Sequence, residues 1–285
     1  MLHILLLLLL GTASAAVPDC TRHALNINTK RYIAALATGR HEWLESILTP
    51  NTTYSQNLEP APIAKVTVSA TPLTISYHRT TYDTVQCATH TEILVTNPVN
   101  PYMIATQLRF DPFAQKLASI DTIVTVPGDL LFNATHALHY YLALAQPEGH
   151  GGSSWGIPIA PEKQDSRAVL QSAADAYYDV FSNKSVVVPW GEPCTRLEGG
   201  YLDANGTCDM GIPDVTAKTE NRRYVIDEDV GSVAVLSNFG ILGPDVHEFR
   251  IAGGKIFGIR SMTVCKEKDD CGLSPPEGLR EEVGW

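Results

Sequence analysis

Two stretches, one in each half of the chain, alternate between apolar and polar residues and resemble each other. Residues 116–124 and 255–263 both begin with lysine and share an isoleucine at the fifth position. A period of two is typical of half-buried strands. Because the second stretch follows the first by 139 residues, the pattern predicts that one structural unit occurs twice.

A turn precedes each of these strands. Residues 108–110 lead into Asp111 and Pro112, and residues 249–251 lead into the Ala-Gly-Gly sequence at 252–254. Turn residues between two alternating segments predict an antiparallel hairpin in each half.

A helix is predicted near the start of each half. The first covers residues 32–36 ahead of Gly39, and the second covers residues 168–181 with Ser166 as its N-cap. The second carries an apolar stripe at helical spacing, formed by Val169, Ala173, Ala176, Tyr177 and Val180. A short polar signature follows each helix, and Asn57 and Glu198 are predicted to be equivalent within it.

Helices followed by antiparallel strands form an α+β unit in which the sheet curls around the helix and encloses a pocket. We therefore predict two tandem cone-shaped, curved antiparallel sheets, each wrapped around helices. The first domain covers residues 16–145 and the second residues 167–265. Residues 146–166 are the linker, and residues 266–285 form a C-terminal tail.

The first residues have the pattern of a signal peptide. An apolar run at residues 5–10 precedes Ala13-Ser14-Ala15, a small-x-small cleavage sequence. We expect residues 1–15 to be removed and the protein to be secreted or to reside in the lumen of the secretory pathway. No later stretch is apolar over the length that a bilayer requires, so we predict no membrane span.

The charge of the chain argues against nucleic-acid partners. The formal net charge is −10, and the longest basic cluster is Arg222-Arg223. Nucleic-acid binding depends on neutralising phosphates with clustered basic residues. We expect a small, apolar, oxygenated molecule as the partner, and the sequence leaves a homodimer open.

The six cysteines favour disulfides over a metal site. An even count in an oxidising compartment is typical of a disulfide framework. Short loops favour the pairs Cys194–Cys208 and Cys265–Cys271, which leaves Cys20 for Cys87. Other connectivities, and a pair of free buried thiols, stay open at this point.

Four N-x-S/T sequons predict glycosylation in surface loops or at the ends of elements. They lie at Asn51, Asn133, Asn183 and Asn205. Because sequons also arise by chance, we do not expect all four to be modified.

Three further motifs are interpreted as structural. Residues 152–156 match G-x-S-x-G, but neither a strand nor a helix is predicted beside them, so the motif indicates a loop. His136 and His139 lack a third ligand at zinc-like spacing, and both are expected to face solvent. Residues 227–229 are three consecutive carboxylates that indicate a solvated turn rather than a calcium loop. We predict no metal and no cofactor.

The candidate catalytic residues are Arg196, Glu198 and His247. Arg196 and Glu198 are two apart on a predicted strand and therefore share one face. If that face lines the pocket, Glu198 is a proton acceptor or donor and Arg196 holds an oxyanion or enolate. The alternative is a structural ion pair. His247 is a group that titrates near neutral pH if it points inward, and a core or surface histidine otherwise.

Aromatic residues close to this pair in the sequence are candidates for substrate binding. They are Tyr177, Tyr178, Trp190 and Tyr201. In the first half the corresponding candidates are Tyr54 and Asn57, together with Glu59, His78, Arg79, His90 and Glu92. We rank the first half second because its signature contains fewer ionisable groups.

Four segments carry a resemblance to a known family: residues 50–57, residues 155–158 leading into 166–168, residues 194–200, and residues 222–227. In these the chain resembles the nuclear-transport-factor-2-like superfamily, which includes ketosteroid-isomerase-like and SnoaL-like proteins. Within it, the chain is similar to secreted tandem proteins of fungi and to the hetero-Diels–Alderases of tropolone–sesquiterpenoid biosynthesis. The resemblance implies a cone-shaped, largely apolar pocket in each unit.

The activity implied by the resemblance is that of a cofactor-free cyclase of secondary metabolism. Such an enzyme would dehydrate an alcohol to a quinone methide and direct its hetero-Diels–Alder cycloaddition. The base and acid pair of a ketosteroid isomerase cannot be assigned here, which argues against that isomerisation. An enzyme is favoured, and the alternative is a non-catalytic secreted binder or cell-surface glycoprotein. The loop context of the G-x-S-x-G motif argues against a hydrolase.

Overall fold

The structure is a computed structural model that describes residues 20–63, 71–144, 155–203, 207–209, 218–240, 242–266 and 268–273. The predicted signal peptide, the first part of the predicted linker, residues 267 and 274–285 of the predicted tail, and Asn205 lie outside these residues. The serine of the G-x-S-x-G motif, Ser154, lies outside them as well.

The described residues form helices and two sets of strands. The helices are α1 (Arg22–Thr38), α2 (Glu42–Glu45), α3 (Ala134–Leu144) and α4 (Arg167–Asp179). The first set of strands is β1 (Thr53–Gln56), β2 (Glu59–Pro60), β3 (Tyr77–Asp83), β4 (Ala88–Val95), β5 (Tyr102–Phe110) and β6 (Leu117–Thr125). The second set is β7 (Trp190–Glu198), β8 (Tyr201–Asp203), β9 (Thr219–Asp227), β10 (Ser232–Phe239), β11 (Gly243–Ala252) and β12 (Lys255–Thr263).

The two sheets have the same topology. Each has six strands, in the orders β2-β1-β6-β5-β4-β3 and β8-β7-β12-β11-β10-β9. The predicted duplication and the α+β class are therefore confirmed, and so are the hairpins β5–β6 and β11–β12. The expectation of wholly antiparallel sheets is wrong at one pairing in each sheet. The first strand of each unit pairs in parallel with the last strand of that unit: β1 with β6 and β7 with β12.

The ends of the helices follow from local hydrogen bonding. The Thr21 hydroxyl accepts the Ala24 amide at 3.2 Å, and Gly39 ends α1 with a φ of 64°. The Ser166 hydroxyl accepts the Val169 amide at 3.5 Å, as predicted for α4. Helix α1 begins ten residues before the predicted segment. The prediction started too late because polar residues, among them Thr29, lie on the buried face of the helix and interrupt its apolar pattern.

Each long helix packs on one face of its own sheet, and the opposite faces of the sheets pack together. Tyr32 of α1 and Tyr177 of α4 belong to these two interior cores. A third core lies between the sheets and includes Met103, Leu197 and Tyr141. Strand β4 is buried along its whole length for this reason.

Three disulfides connect the described residues, and each of the three favoured pairs is confirmed: Cys20–Cys87, Cys194–Cys208 and Cys265–Cys271. They fit a protein that folds in an oxidising compartment. Among the described helices, none has the length and apolar character needed to cross a bilayer.

Three of the predicted glycosylation sites can be placed. Asn51 and Asn183 are exposed. Asn133 is half-buried, and its side-chain oxygen accepts the His136 amide at 3.0 Å at the start of α3. Two of these side chains thus lie at the surface, and the third caps a helix.

Two reciprocal contacts join the units. Arg167, the first residue of α4, donates both terminal nitrogens to Asp83 at the end of β3, at 2.9 and 2.7 Å. Arg22, the first residue of α1, donates to Asp227 at the end of β9, at 3.1 and 2.5 Å. Asp227 is 1% exposed, so the prediction of a solvated turn at residues 227–229 is wrong for this residue. Its carboxylate is needed to pair with Arg22.

Replacing Asp83 by alanine is expected to reduce the free energy of unfolding by about 3–5 kcal/mol, because the half-buried Arg167 guanidinium and the buried Ile226 amide lose their partner. Asp227→Ala should act in the same direction. Urea denaturation measures both. The control is Glu42→Ala at the exposed Arg40–Glu42 pair, where we expect almost no change. Equal effects at Asp83 and Glu42 would show that the reciprocal contacts do not hold the units together.

Candidate functional site

Strand β7 places the predicted pair inside the second unit. Arg196 and Glu198 share the inner face and form an ion pair at 2.8 Å, with side-chain exposures of 7% and 22%. The Arg196 guanidinium lies 6.0 Å from the centre of the Tyr177 ring. Burial alone would lower the pKa of Arg196, but the neighbouring Glu198 carboxylate outweighs it and raises that pKa. The guanidinium is therefore a permanent positive charge in the interior.

Strand β11 contributes a second inward group that is hydrogen-bonded at both ring nitrogens. His247 Nδ1 lies 2.6 Å from an Asp245 carboxylate oxygen, and His247 Nε2 lies 3.1 Å from the Tyr177 hydroxyl. Thr263 donates to the other Asp245 oxygen at 2.6 Å. Since a carboxylate only accepts, Nδ1 carries a proton, and in the neutral form of the imidazole the Tyr177 hydroxyl donates to Nε2.

We refer to Tyr177, His247 and Asp245 as the relay. Its members are 0%, 3% and 1% exposed. Through these hydrogen bonds the Tyr177 oxygen could accept a proton while Tyr177 passes its own proton to His247. The Asp245 carboxylate would stabilise the resulting imidazolium. This arrangement is competent for acid–base chemistry in a site without a metal.

Aromatic rings form the walls around the relay. The His247 ring is stacked with Phe239 and Phe249, with centroid distances of 5.7 and 6.0 Å. Tyr177 makes an edge contact with Trp190 at 6.1 Å. Tyr178 is fully buried, and its hydroxyl lies 3.4 Å from the Val235 carbonyl oxygen.

The interior reaches the surface near the ends of β7. Trp190, Glu198 and Tyr201 are half-buried, whereas the relay is closed, and Tyr201 pairs with Glu198 in the sheet. Two open grooves among the described residues run along the outer face of α4, and neither is lined by the relay or by the Arg196–Glu198 pair.

The first unit has uncharged residues at the matching positions. The parallel pairings set Tyr54 opposite Ile120 and Arg196 opposite Ile259, so Tyr54 occupies the place of Arg196. Gln56, and not Asn57 as predicted, occupies the place of Glu198. In the antiparallel pairing Thr106 occupies the place of His247, and the Tyr32 hydroxyl contacts Thr106 at 2.8 Å.

Asn57 has a structural role. Its φ is 52°, and its side chain accepts the Val124 amide at 2.8 Å and donates to the Val124 carbonyl at 3.2 Å. These bonds close the turn after β1. The Tyr54 hydroxyl donates to Gln56 at 3.0 Å.

Several first-unit candidates do not face that unit's interior. Arg79, His90 and Glu92 point into the space between the sheets, and Arg79 and Glu92 pair there with residues of the second unit. His78 and Glu59 are exposed. The prediction that these residues line a first pocket is therefore corrected. Both faces of strand β4 are buried, so its sequence pattern does not show which face lies in the interior of the first unit.

Asp245 is the site residue that sequence reasoning missed. Its signal is the Asp-x-His spacing with His247, which puts both side chains on the same face of a strand. Thr263, within the repeated strand segment, was missed as well because a lone threonine has no distinctive pattern.

A match to a known family covers the second unit. A family model described as a domain of unknown function (DUF8021) matches residues 163–263, which span α4 to β12. No curated protein matches the chain. The match places the relay and the Arg196–Glu198 pair within the region similar to that family.

Alkaline pH tests the closure of this interior. Burial raises the pKa of both Tyr177 and Tyr178, whereas tyrosines of an unfolded chain titrate near pH 10. The unfolded chain therefore loses these protons first, and stability that is complete below about pH 10 declines as the pH rises further. Tyr177→Phe should make that decline shallower, as measured by urea denaturation across the alkaline range. Ionisation of all 11 tyrosines before unfolding would contradict a closed interior.

Proposed function

We propose that the interior of the second unit is a cofactor-free acid–base site acting on a small, apolar, oxygenated molecule. The observation that supports the proposal is the buried relay beside the Arg196–Glu198 pair. A buried histidine with an ordered tautomer, a phenol and a fixed positive charge are the parts that proton transfer to and from an oxygenated ring requires.

In the sharpest form of the proposal, the enzyme is a cyclase of the lyase and isomerase type. Tyr177 removes the proton of a ring hydroxyl while its own proton passes to His247 Nε2. Arg196 stabilises the oxyanion, and Glu198 holds Arg196 in place. The carbon–oxygen bond of a neighbouring benzylic-type alcohol then breaks, the relay returns its proton to the leaving hydroxide, and water and a quinone methide result. Protons and electrons balance without a cofactor.

This form of the proposal requires the closed aromatic interior to open and admit both molecules, after which its rings orient the quinone methide against an alkene for a hetero-Diels–Alder cycloaddition. Orientation contributes several kcal/mol by removing the entropic cost of the encounter. The resemblance to the nuclear-transport-factor-2-like superfamily supports this form, because each unit combines a six-stranded sheet with a helix packed on its inner face.

A second candidate function is a non-catalytic binder of the same class of molecule. The observation that favours it is the close packing of the interior, in which Tyr177 contacts Phe181 and Phe249 with centroid distances of 5.3 and 5.1 Å. In this case the ligand would bind near the half-buried Trp190 and Glu198, and the relay would be structural.

Incubation with a tropolone benzylic-type alcohol and a humulene-type alkene tests the activity. Wild type should accelerate product formation and fix its stereochemistry, and His247→Gln and Tyr177→Phe should lower kcat by about 10²–10⁴-fold, as expected for loss of acid–base catalysis. The matched control is Tyr32→Phe, which removes the equivalent hydroxyl of the first unit.

The outcomes separate the two candidates. No change in rate or stereochemistry with wild-type protein would exclude the cycloaddition. Saturable binding of the alcohol without turnover would favour the binder, and in that case Glu198→Gln should retain affinity. An equal loss of activity in Tyr32→Phe and Tyr177→Phe would show that Tyr177→Phe acts by destabilising the fold, and not by removing a catalytic group.

A further inference from the structure

A second group of ionisable side chains lies between the sheets, separate from the relay. His90 and Glu92 are two apart on β4, and Glu248 faces them from β11. They are 1%, 2% and 1% exposed. We call these three residues the inter-sheet cluster. Neighbouring residues on a strand face opposite sides, so Glu248 enters this cluster while His247 enters the relay.

Two arginines neutralise the carboxylates. Arg79 Nη2 bridges them, donating to Glu92 at 3.2 Å and to Glu248 at short range. Arg260 donates to Glu92 at 3.1 Å, and its guanidinium is held between the rings of Tyr141 and Trp155 at 3.9 and 4.2 Å. Arg260 is thus enclosed on both faces.

His90 is the group that these contacts do not explain. Neither ring nitrogen has a hydrogen-bond partner, although the side chain is almost fully buried. An imidazole that makes no hydrogen bond at either ring nitrogen can offer a nitrogen lone pair to a ligand. Buried polar groups without partners are uncommon in folded proteins, and this one lies beside two carboxylates.

We propose that the inter-sheet cluster binds one zinc-type divalent cation through His90, Glu92 and Glu248. One ligand atom from each residue lies within 4.8 Å of the others, so small side-chain movements bring all three to a common ion. One imidazole nitrogen and two carboxylate oxygens are a ligand set that zinc accepts. Calcium and magnesium prefer more oxygen ligands.

The cation would take the bridging position now held by Arg79. A positive nitrogen shared by two carboxylates is in the place that a bridging metal requires. Arg79 is the most exposed member of the group, with 11% of its side chain accessible, and two of its three guanidinium nitrogens have no partner. Its guanidinium lies 5.3 Å from the Trp155 ring, and the proposal requires it to move away from the carboxylates while Arg260 stays in place.

Such an ion would link the two units, because its ligands come from both sheets. Removing the positive charge of Arg79 should strengthen binding of the cation, and removing the imidazole of His90 should weaken it. These opposite changes distinguish a cation site from a buried ion-pair network.

Isothermal titration of the full chain with Zn²⁺ tests the proposal. Wild type should bind one ion in the cluster, Arg79→Gln should bind it at least about tenfold more tightly because a competing charge is removed, and His90→Gln should bind it at least about tenfold more weakly. Arg79→Lys retains the charge and should resemble wild type. Co²⁺ absorption provides a second readout, since its intensity should fall in His90→Gln.

The two histidines of α3, the half-buried His136 and the exposed His139, supply the matched control. His136→Gln/His139→Gln should leave the affinity unchanged, and a loss there would place the ion on α3 instead. Because the His90 side chain makes no hydrogen bond, His90→Gln is expected to fold, and its thermal unfolding without metal verifies this. Failure of Arg79→Gln to bind Zn²⁺, or binding that is indifferent to His90, would overturn the proposal. Neither result depends on catalytic activity.

Discussion

The structure depends on the pairing of charges buried between two sheets. Each sheet covers a helix with one face and turns its other face to the second sheet, and this second face carries Asp83, Glu92 and Glu248. An unpaired carboxylate at such a depth costs several kcal/mol, so the arginines that reach these groups determine how the units fit. Arg167 reaches Asp83 from the first turn of α4, and Arg22 reaches the buried Asp227 from the first turn of α1, which ties the position of each helix to the opposite unit.

Duplication produced two units of equal topology but unequal chemistry. The inner positions of the first unit hold Tyr54, Gln56 and Thr106, where the second holds Arg196, Glu198 and His247. A neutral interior packs without the need to compensate charge, whereas a charged interior retains stability only when each group is paired. The second unit therefore carries a desolvation cost that the first unit lacks, and this asymmetry supports assigning the proposed chemistry to the second unit.

Much of the fold could be predicted from the sequence, because the signals are local. The repeated strands and the Ser166 cap follow from local patterns, short loops favour the Cys194–Cys208 and Cys265–Cys271 disulfides, and Cys20–Cys87 is the pair that remains. The parallel pairing of β1 with β6 could not be predicted, since no local pattern records which strand a segment joins. The same limit applies to His90 and Glu92: alternation showed that they share a face, but the nature of that face depends on a strand more than 150 residues away.

Strand β11 connects the two ionisable regions. Its alternate residues place His247 in the second interior and Glu248 between the sheets, so both side chains depend on the same register with β10 and β12. A slip of one residue would exchange them and bury each group without its partners. The pairing of Glu248 with Arg79 and Ser232 thus also fixes the register that aligns His247 with Tyr177. Inter-sheet packing and relay geometry are, for this reason, consequences of a single strand alignment.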